Sequence, residues 1–347
     1  MFETIASEDV TTDRLTARVL RSGSPSGTPV VFVHGNVSSS LFWQPTMAAM
    51  PESVHAVAID LRGFGGSQTL PVDATRGVRD FSDDVASVIR ALGLGASHLV
   101  GWSMGGGVVM QLALDHPELV ASMTLVATVS PYGFGGTRGA DGERLSEQDA
   151  GCGGGGGNPD FVARLAAGDT TDEAPTSPRS VFRNAYVADP ADHTELEDLW
   201  VASMLTTATG EGNYPGDAGE ASEWPGFGPG ERGVLNTMVP RYFDTSGIVD
   251  LAAKPPVLWV HGTRDAIVSD ASGFDLNQLG ALGVIPGWPG DDVAPPQPMV
   301  SQTRAVLTRY AAAGGATHEE EWDCGHSPHL ERPQEFVAAL LAHIGEG

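Results

Sequence analysis

Five short runs of apolar residues, each ending in a small or polar residue, limit the folds open to this chain of 347 residues. Apolar and polar residues do not alternate within the runs, which is typical of strands buried on both faces, as in a parallel sheet covered by helices. The runs are PVVFVHG (29–35), HAVAID (55–60), HLVGWS (98–103), MTLVATVS (123–130) and PPVLWVHG (255–262).

Helical patterns lie between and after these runs. FSDDVASVIRAL (81–92) and PQEFVAALLAHI (333–344) both repeat apolar residues at helical spacing, and Pro333 suits a first helical position. Strands that alternate with helices indicate an α/β fold. We therefore predict a doubly wound, mostly parallel sheet of about eight strands flanked by helices.

The alternation breaks at Pro131 and resumes near Pro255. The stretch between them is rich in glycine, proline and acidic residues, including GCGGGGGNP (151–159), but it also contains helix-like segments. A structureless loop of this length is uncommon inside a compact domain. We therefore predict a core formed by residues 1–130 and 256–347, with a cap of helices and loops inserted over residues 131–255.

The pentapeptide GWSMG (101–105) presents a candidate nucleophile, Ser103. A buried strand precedes it and a helix follows it, which is the context of a nucleophile elbow. Glycines at 101, 105 and 106 relieve the crowding of such a turn. The N–H of Met104, at the start of the helix, would point at a developing oxyanion.

A serine hydroxyl needs a histidine base that is oriented by an acid. Asp265 follows the buried strand PPVLWVHG, at the edge where parallel sheets present ligand-facing residues, and His326 precedes the last helix. The order serine, acid, histidine is that of a nucleophile-elbow enzyme. The alternatives are Asp291 or Asp292 for the acid and His329 for the base.

The chain resembles the α/β-hydrolase fold superfamily over nearly its whole length, specifically serine hydrolases of the esterase type with an inserted cap. Five signatures in the family's order carry the resemblance: HGN (34–36), DLRGFGGS (60–67), GWSMGG (101–106), HGTRDAIV (261–268) and CGHSPHLERP (324–333).

The resemblance implies a role for several further residues. The His-Gly-x turn of that family supplies the second oxyanion donor, which here is the N–H of Asn36, with Val37 as the alternative. The cap would act as a lid that shapes the pocket above Ser103. Trp102, beside the nucleophile, and Val37 are expected to contact substrate.

These expectations add up to a hydrolase that cleaves a carboxylic ester or lactone through Ser103, His326 and Asp265, with an acyl-enzyme intermediate. The runner-up is a carbon–carbon bond hydrolase of the meta-cleavage-product type, in which Arg183 or Arg241 would bind a substrate carboxylate. Acyl transfer and perhydrolysis use the same triad. A non-catalytic ligand-binding protein is the candidate from another class. The sequence does not specify the substrate, the pocket size or the oligomeric state.

The charge, hydropathy and motifs of the chain argue against several other classes of protein. The net charge of −25 would repel nucleic acid and anionic membranes, and no stretch is long and apolar enough to insert into a bilayer. The glycines of GFGG (63–66) lack the third glycine of a dinucleotide fingerprint, so no cofactor is expected. Cys152 and Cys324 form neither a disulfide framework nor a metal motif, which fits free thiols in a cytoplasmic protein.

Overall fold

An eight-stranded sheet forms the centre of the computed structural model, which describes residue 2 and residues 4–346. The strand order is β1-β2-β4-β3-β5-β6-β7-β8, and only the pairings of β2, with β1 and with β4, are antiparallel. This confirms the predicted fold class. The strands are β1 Ala6–Thr11, β2 Thr16–Ser22, β3 Thr28–Val33, β4 Val54–Ile59, β5 Ser97–Trp102, β6 Val120–Val126, β7 Val257–Gly262 and β8 Thr317–Trp322.

The five predicted apolar runs form the inner strands β3, β4, β5, β6 and β7. Every residue of β4 and β7 is buried, because helices cover both faces of the sheet. The helices are α1 Gln44–Ala49, α2 Arg79–Ala91, α3 Met104–Asp115, α4 Pro159–Ala167, α5 Pro178–Val181, α6 Glu197–Met204, α7 Leu276–Ala281, α8 Met299–Ala312, α9 Pro328–Glu331 and α10 Pro333–Ile344.

The sheet edges consist of polar strands that the apolar runs do not reveal. Strand β1 is almost wholly exposed and β8, with sequence THEEEW, is mostly exposed. Charged side chains on an edge strand discourage pairing with another molecule. The edges therefore carry little of the apolar signal by which the inner strands are recognised.

The residues between β6 and β7 lie outside the central sheet, and we call residues 131–255 the cap segment. This segment contains α4, α5 and α6, a π-helix over Phe182–Tyr186 that continues α5, and two short strand pairs. Those pairs join Thr137–Arg138 to Glu143–Arg144 and Ala218–Glu220 to Phe227–Pro229.

Aromatic side chains pack the cap segment onto the core. Phe182 stacks on Trp200 with ring centroids 5.3 Å apart, and Phe42 lies 6.3 Å from Trp200. Phe42 in turn stacks on Trp102 at 5.0 Å. Each such pair contributes about 0.5–1.5 kcal/mol beyond the area that it buries. The cap segment is thus packed directly against the end of β5.

Gly105→Ala tests the close approach of α3 to β3. Alanine is ordinarily about 1 kcal/mol better than glycine in a helix. Here its methyl group would lie 2.4 Å from the carbonyl oxygen of Val33 and 2.6 Å from that of His34. Because backbone atoms cannot move away cheaply, we expect the free energy of unfolding to fall by about 2 kcal/mol in urea denaturation.

The matched control is Gly219→Ala, because a methyl group there meets nothing within 4 Å. Its free energy of unfolding should change by less than about 0.5 kcal/mol. A stability of Gly105→Ala equal to that of the wild type would contradict the close helix–strand contact.

Candidate active site

Ser103 occupies the sharp turn between β5 and α3, with φ 57° and ψ −122°. A non-glycine residue in such a conformation costs about 1–3 kcal/mol, and such strain is concentrated at functional sites. The Ser103 N–H donates to the Val126 carbonyl at 2.9 Å, and its carbonyl accepts from the N–H of Val129 at 3.1 Å. A Cβ on Gly101 would lie 2.3 Å from the Gly105 carbonyl oxygen, and a Cβ on Gly105 would lie 2.4 Å from the Val33 carbonyl oxygen, so a larger side chain at either position would force the backbone to shift.

Asp265 and His326 are joined by a hydrogen bond of 2.8 Å from His326 Nδ1 to Asp265 Oδ2, and both side chains are almost fully buried. The other carboxylate oxygen accepts the N–H groups of Ile267 and Val268 at 2.7 and 2.9 Å. Because the carboxylate can only accept a hydrogen bond, the proton of the neutral imidazole lies on Nδ1. The Nε2 lone pair is then available to accept a proton.

Trp102 links the Ser103 turn to the loop of His326. Its indole N–H donates to the His326 carbonyl at 2.8 Å, and the two ring centroids are 5.5 Å apart. The Trp102 side chain is fully buried and also packs against Phe42 and Tyr186. Its contact with substrate stays a prediction. Within the described residues, the Ser103 hydroxyl makes no hydrogen bond. Serine–histidine bonds are often loose before substrate binds.

The backbone N–H groups of Asn36 and Met104 donate no hydrogen bond within residues 4–346. The N–H of Val37, the alternative donor, is occupied, because it donates to the Asn36 Oδ1 at 3.0 Å. Met104 is the first residue of the 12-residue helix α3, whose dipole adds partial positive charge there. These two groups could hold an oxyanion.

His34 orients the turn that contains Asn36. Its Nε2 accepts from the Leu61 N–H at 3.0 Å, so its proton lies on Nδ1, which donates to the Gly35 carbonyl at 2.7 Å. The Ser38 hydroxyl donates to the same carbonyl at 2.8 Å. A peptide carbonyl points opposite to the N–H of the same peptide. Holding the Gly35 carbonyl therefore fixes the direction of the Asn36 N–H.

The alternative base and acid lie in different surroundings. His329 is fully buried against Trp43, with ring centroids 4.3 Å apart, and neither of its nitrogens has a hydrogen-bond partner among the described residues. Burial holds the pKa of His329 well below its usual range, and the nearby His326 lowers it further. Asp291 and Asp292 lie on an exposed loop. The His326 imidazole is hydrogen-bonded to Asp265 and to neither Asp291 nor Asp292.

The two arginines considered as carboxylate ligands are paired within the chain. Arg183 bonds Glu197 and Asp172, each at 2.7 Å. Arg241 bonds Asp149 at 2.6 Å. A substrate carboxylate would have to displace these partners.

One group of possible metal ligands lies away from Ser103, where His261, Glu319 and Glu321 place ligand atoms within 4.8 Å of one another. The guanidinium of Arg304 bonds Glu319 at 2.6 Å and Glu321 at 3.2 Å, so positive charge is already present there. The group therefore resembles an ion-pair network beside β8, at one side of the sheet.

Two residues near the site were not predicted from the sequence. The Glu331 carboxylate accepts the N–H of Gly325, beside His326, at 2.7 Å, and that of Ala188 in the cap segment at 2.8 Å. The Tyr186 hydroxyl reaches the turn of Asn36. The acidic residue within HLERP (329–333), a few residues after His326, could have indicated that Glu331 lies near the site. Nothing in the sequence around Tyr186 indicates its contact.

The family model described as alpha/beta hydrolase fold matches residues 28–290. The chain belongs to this family. The match confirms the resemblance carried by the five sequence signatures and supports hydrolase activity.

Individual relatives have low sequence identity to this chain or match it over only part of its length. The chain is 26% identical to 2-(acetamidomethylene)succinate hydrolase of Mesorhizobium japonicum over 77% of this chain and 81% of that protein. It is 38% identical to the dihydrolipoyllysine-residue acetyltransferase component of the acetoin cleaving system of Cupriavidus necator, over 35% of this chain and 31% of that protein. Several other curated relatives, like the Cupriavidus protein, are matched over less than half of their own length.

Solved structures share the fold at low identity. The enol-lactonase from Burkholderia xenovorans LB400 superimposes with a TM-score of 0.60 at 16% identity, over 98% of this chain and all of that one. The carboxylesterase CesB from Bacillus subtilis gives a TM-score of 0.59 at 17% identity, over 99% and 92% of the two chains. Among residues 2 and 4–346, no helix combines the length and apolar character needed to cross a membrane.

The pKa of His329 predicts a dependence of stability on pH. Its folded pKa lies below the unfolded value of about 6.5. The unfolded chain therefore binds more protons below that pH, and stability falls as the pH decreases. We expect the free energy of unfolding of His329→Leu to decline less steeply than that of the wild type between about pH 6.5 and 5, by up to about 1.4 kcal/mol per pH unit. Urea denaturation at several pH values measures both slopes, and equal slopes would contradict a neutral buried imidazole.

Proposed function

We propose that this protein is a serine hydrolase that cleaves a small-molecule carboxylic ester or lactone, with Ser103 as nucleophile, His326 as base and Asp265 as orienting acid. The observation that carries the proposal is the buried hydrogen bond of 2.8 Å between Asp265 and His326, at the sheet edge where Ser103 is held in a strained turn. This combination has a defined chemical use, because an imidazole oriented by a buried carboxylate can take up the proton of an attacking serine hydroxyl.

Acylation follows from these groups. The Ser103 oxygen attacks the carbonyl carbon of the ester, its proton passes to His326 Nε2, and the carbonyl electrons move onto oxygen. The Asp265 carboxylate stabilises the imidazolium that results. The N–H groups of Asn36 and Met104 would bind the oxyanion, and one such donor is worth about 10²–10³ in rate.

Collapse of the tetrahedral intermediate restores the carbonyl and breaks the bond to the alcohol, which takes its proton from His326. Water then attacks the acyl-enzyme while His326 accepts its proton. The second intermediate expels the Ser103 oxygen, which takes that proton back. The products are a carboxylic acid and an alcohol, or a single hydroxy acid when the substrate is a lactone.

The ester or lactone class has support from two sides. Structures of the same fold are named a carboxylesterase and an enol-lactonase. Carbon–carbon cleavage of a dienoate would need a cation for its carboxylate, and both candidate arginines are paired with acids of this chain. We propose that the cap segment (131–255) covers the acyl-binding side of Ser103, with Val37 and Trp102 near the substrate.

Ser103→Ala tests this function with a panel of p-nitrophenyl esters of different acyl length and with simple lactones. Removing the nucleophile should lower kcat by about 10³-fold or more while KM changes little. The matched control is Ser26→Ala, since Ser26 is exposed on a distant turn, and it should retain wild-type kcat. An esterase activity that survives in Ser103→Ala would contradict the proposal.

A further inference from the structure

A tyrosine of the cap segment reaches the turn that carries Asn36. Tyr186 is the last residue of the π-helix Phe182–Tyr186, and its side chain is buried. Its hydroxyl lies 3.1 Å from the Asn36 carbonyl and 3.1 Å from the Val37 carbonyl, so a single proton is shared between two acceptors. Burial raises the pKa of Tyr186 well above its usual range, so the hydroxyl stays protonated.

The chain beside Tyr186 is anchored at two further points. The N–H of Ala188 donates to Glu331 at 2.8 Å, and the same carboxylate accepts the N–H of Gly325 next to the His326 loop. Asp189 forms an ion pair with Arg264, the neighbour of Asp265, at 2.5 Å. We call the turn that contains Asn36 and Val37 the oxyanion turn. Residues 186–189 therefore contact this turn, the loop that carries His326 and the loop that carries Asp265.

The oxyanion turn needs an external constraint. Val37 has φ 47°, and a β-branched residue in the left-handed region is a backbone outlier that surrounding contacts must maintain. The two carbonyls bonded by Tyr186 belong to the peptide groups on either side of Val37. Their hydrogen bonds hold both of these peptide planes, the first of which adjoins the Gly35–Asn36 peptide that carries the Asn36 N–H.

We propose that Tyr186 is a positioning residue through which the cap segment holds the oxyanion turn in its active geometry. This inference rests on the proposed function. Tyr186 itself need not touch the reacting atoms, because it acts through the backbone of Asn36 and Val37. Its loss should weaken binding of the tetrahedral intermediate more than binding of the ester, since the oxyanion hole acts mainly on the charge that develops in the transition state.

The test compares Tyr186→Phe with Tyr310→Phe. Tyr310 is the matched control because it is also buried and donates its hydroxyl to a backbone carbonyl, that of Pro255 at 2.6 Å. Pro255 precedes the first residue of β7, so this bond lies at the end of the strands opposite to the end where Ser103 lies. Both variants keep the aromatic ring and lose one hydroxyl, so their loss of stability should be similar.

Three quantities are measured for each variant: kcat and KM for p-nitrophenyl butyrate, the inhibition constant of an alkyl trifluoromethyl ketone, and the thermal unfolding midpoint. The ketone forms a tetrahedral adduct with a reactive serine and so reports on the oxyanion hole. For Tyr186→Phe we expect kcat to fall about tenfold, ketone affinity to fall by a similar factor, and KM to stay within about twofold. For Tyr310→Phe, kcat, KM and ketone affinity should stay within about twofold of the wild type.

Wild-type kcat and ketone affinity in Tyr186→Phe would overturn the inference, as would equal losses of kcat in both variants that follow the unfolding midpoint. Labelling with a fluorophosphonate separates this outcome from a failure of the proposed function. If wild-type protein is labelled at Ser103 and Tyr186→Phe is unaffected, the inference alone is wrong. If folded wild-type protein is not labelled at Ser103, the proposed function is wrong and the inference fails with it.

Discussion

The backbone conformation of Ser103 is the constraint on which the rest of the site depends. Its φ of 57° and ψ of −122° turn the chain from a buried strand into a helix within one residue. This conformation persists because Val126, at the end of β6, and Val129, just after it, bond the two backbone groups of Ser103, and because Gly101 and Gly105 let strand and helix backbones approach closely. The same turn leaves Ser103 only half-buried and places Met104, whose N–H donates no bond among the described residues, at the start of α3.

A second strained turn faces the first. Val37, at φ 47°, follows Asn36, whose N–H is unused by the chain, and His34 and Ser38 hold the preceding carbonyl. Strain at both turns is compensated by hydrogen bonds and burial in the surrounding structure. The cap segment supplies part of this support through Tyr186, so the proposed cap would complete the oxyanion site as well as cover it.

The inner strands, the sharp turn at Ser103 and the pairing of Asp265 with His326 were predictable because their signals are local. A buried strand that ends at a glycine or an acid can be recognised in a few residues, and parallel strands bring their carboxyl ends to one edge. The edge strands gave no such signal because their exposed residues are polar. The contacts of Tyr186 and Glu331 could not be predicted, since they depend on how the cap segment packs across long sequence separations.

We propose that hydrolysis passes through an acyl group on Ser103. Rapid-quench mass spectrometry of the wild-type protein turning over p-nitrophenyl acetate tests it most directly, because the covalent intermediate is observed and located by peptide mapping. We expect an acetyl group on the peptide that contains Ser103, formed and lost on the time scale of turnover. Turnover without any acetylated peptide, or with acetylation only at another residue, would contradict it.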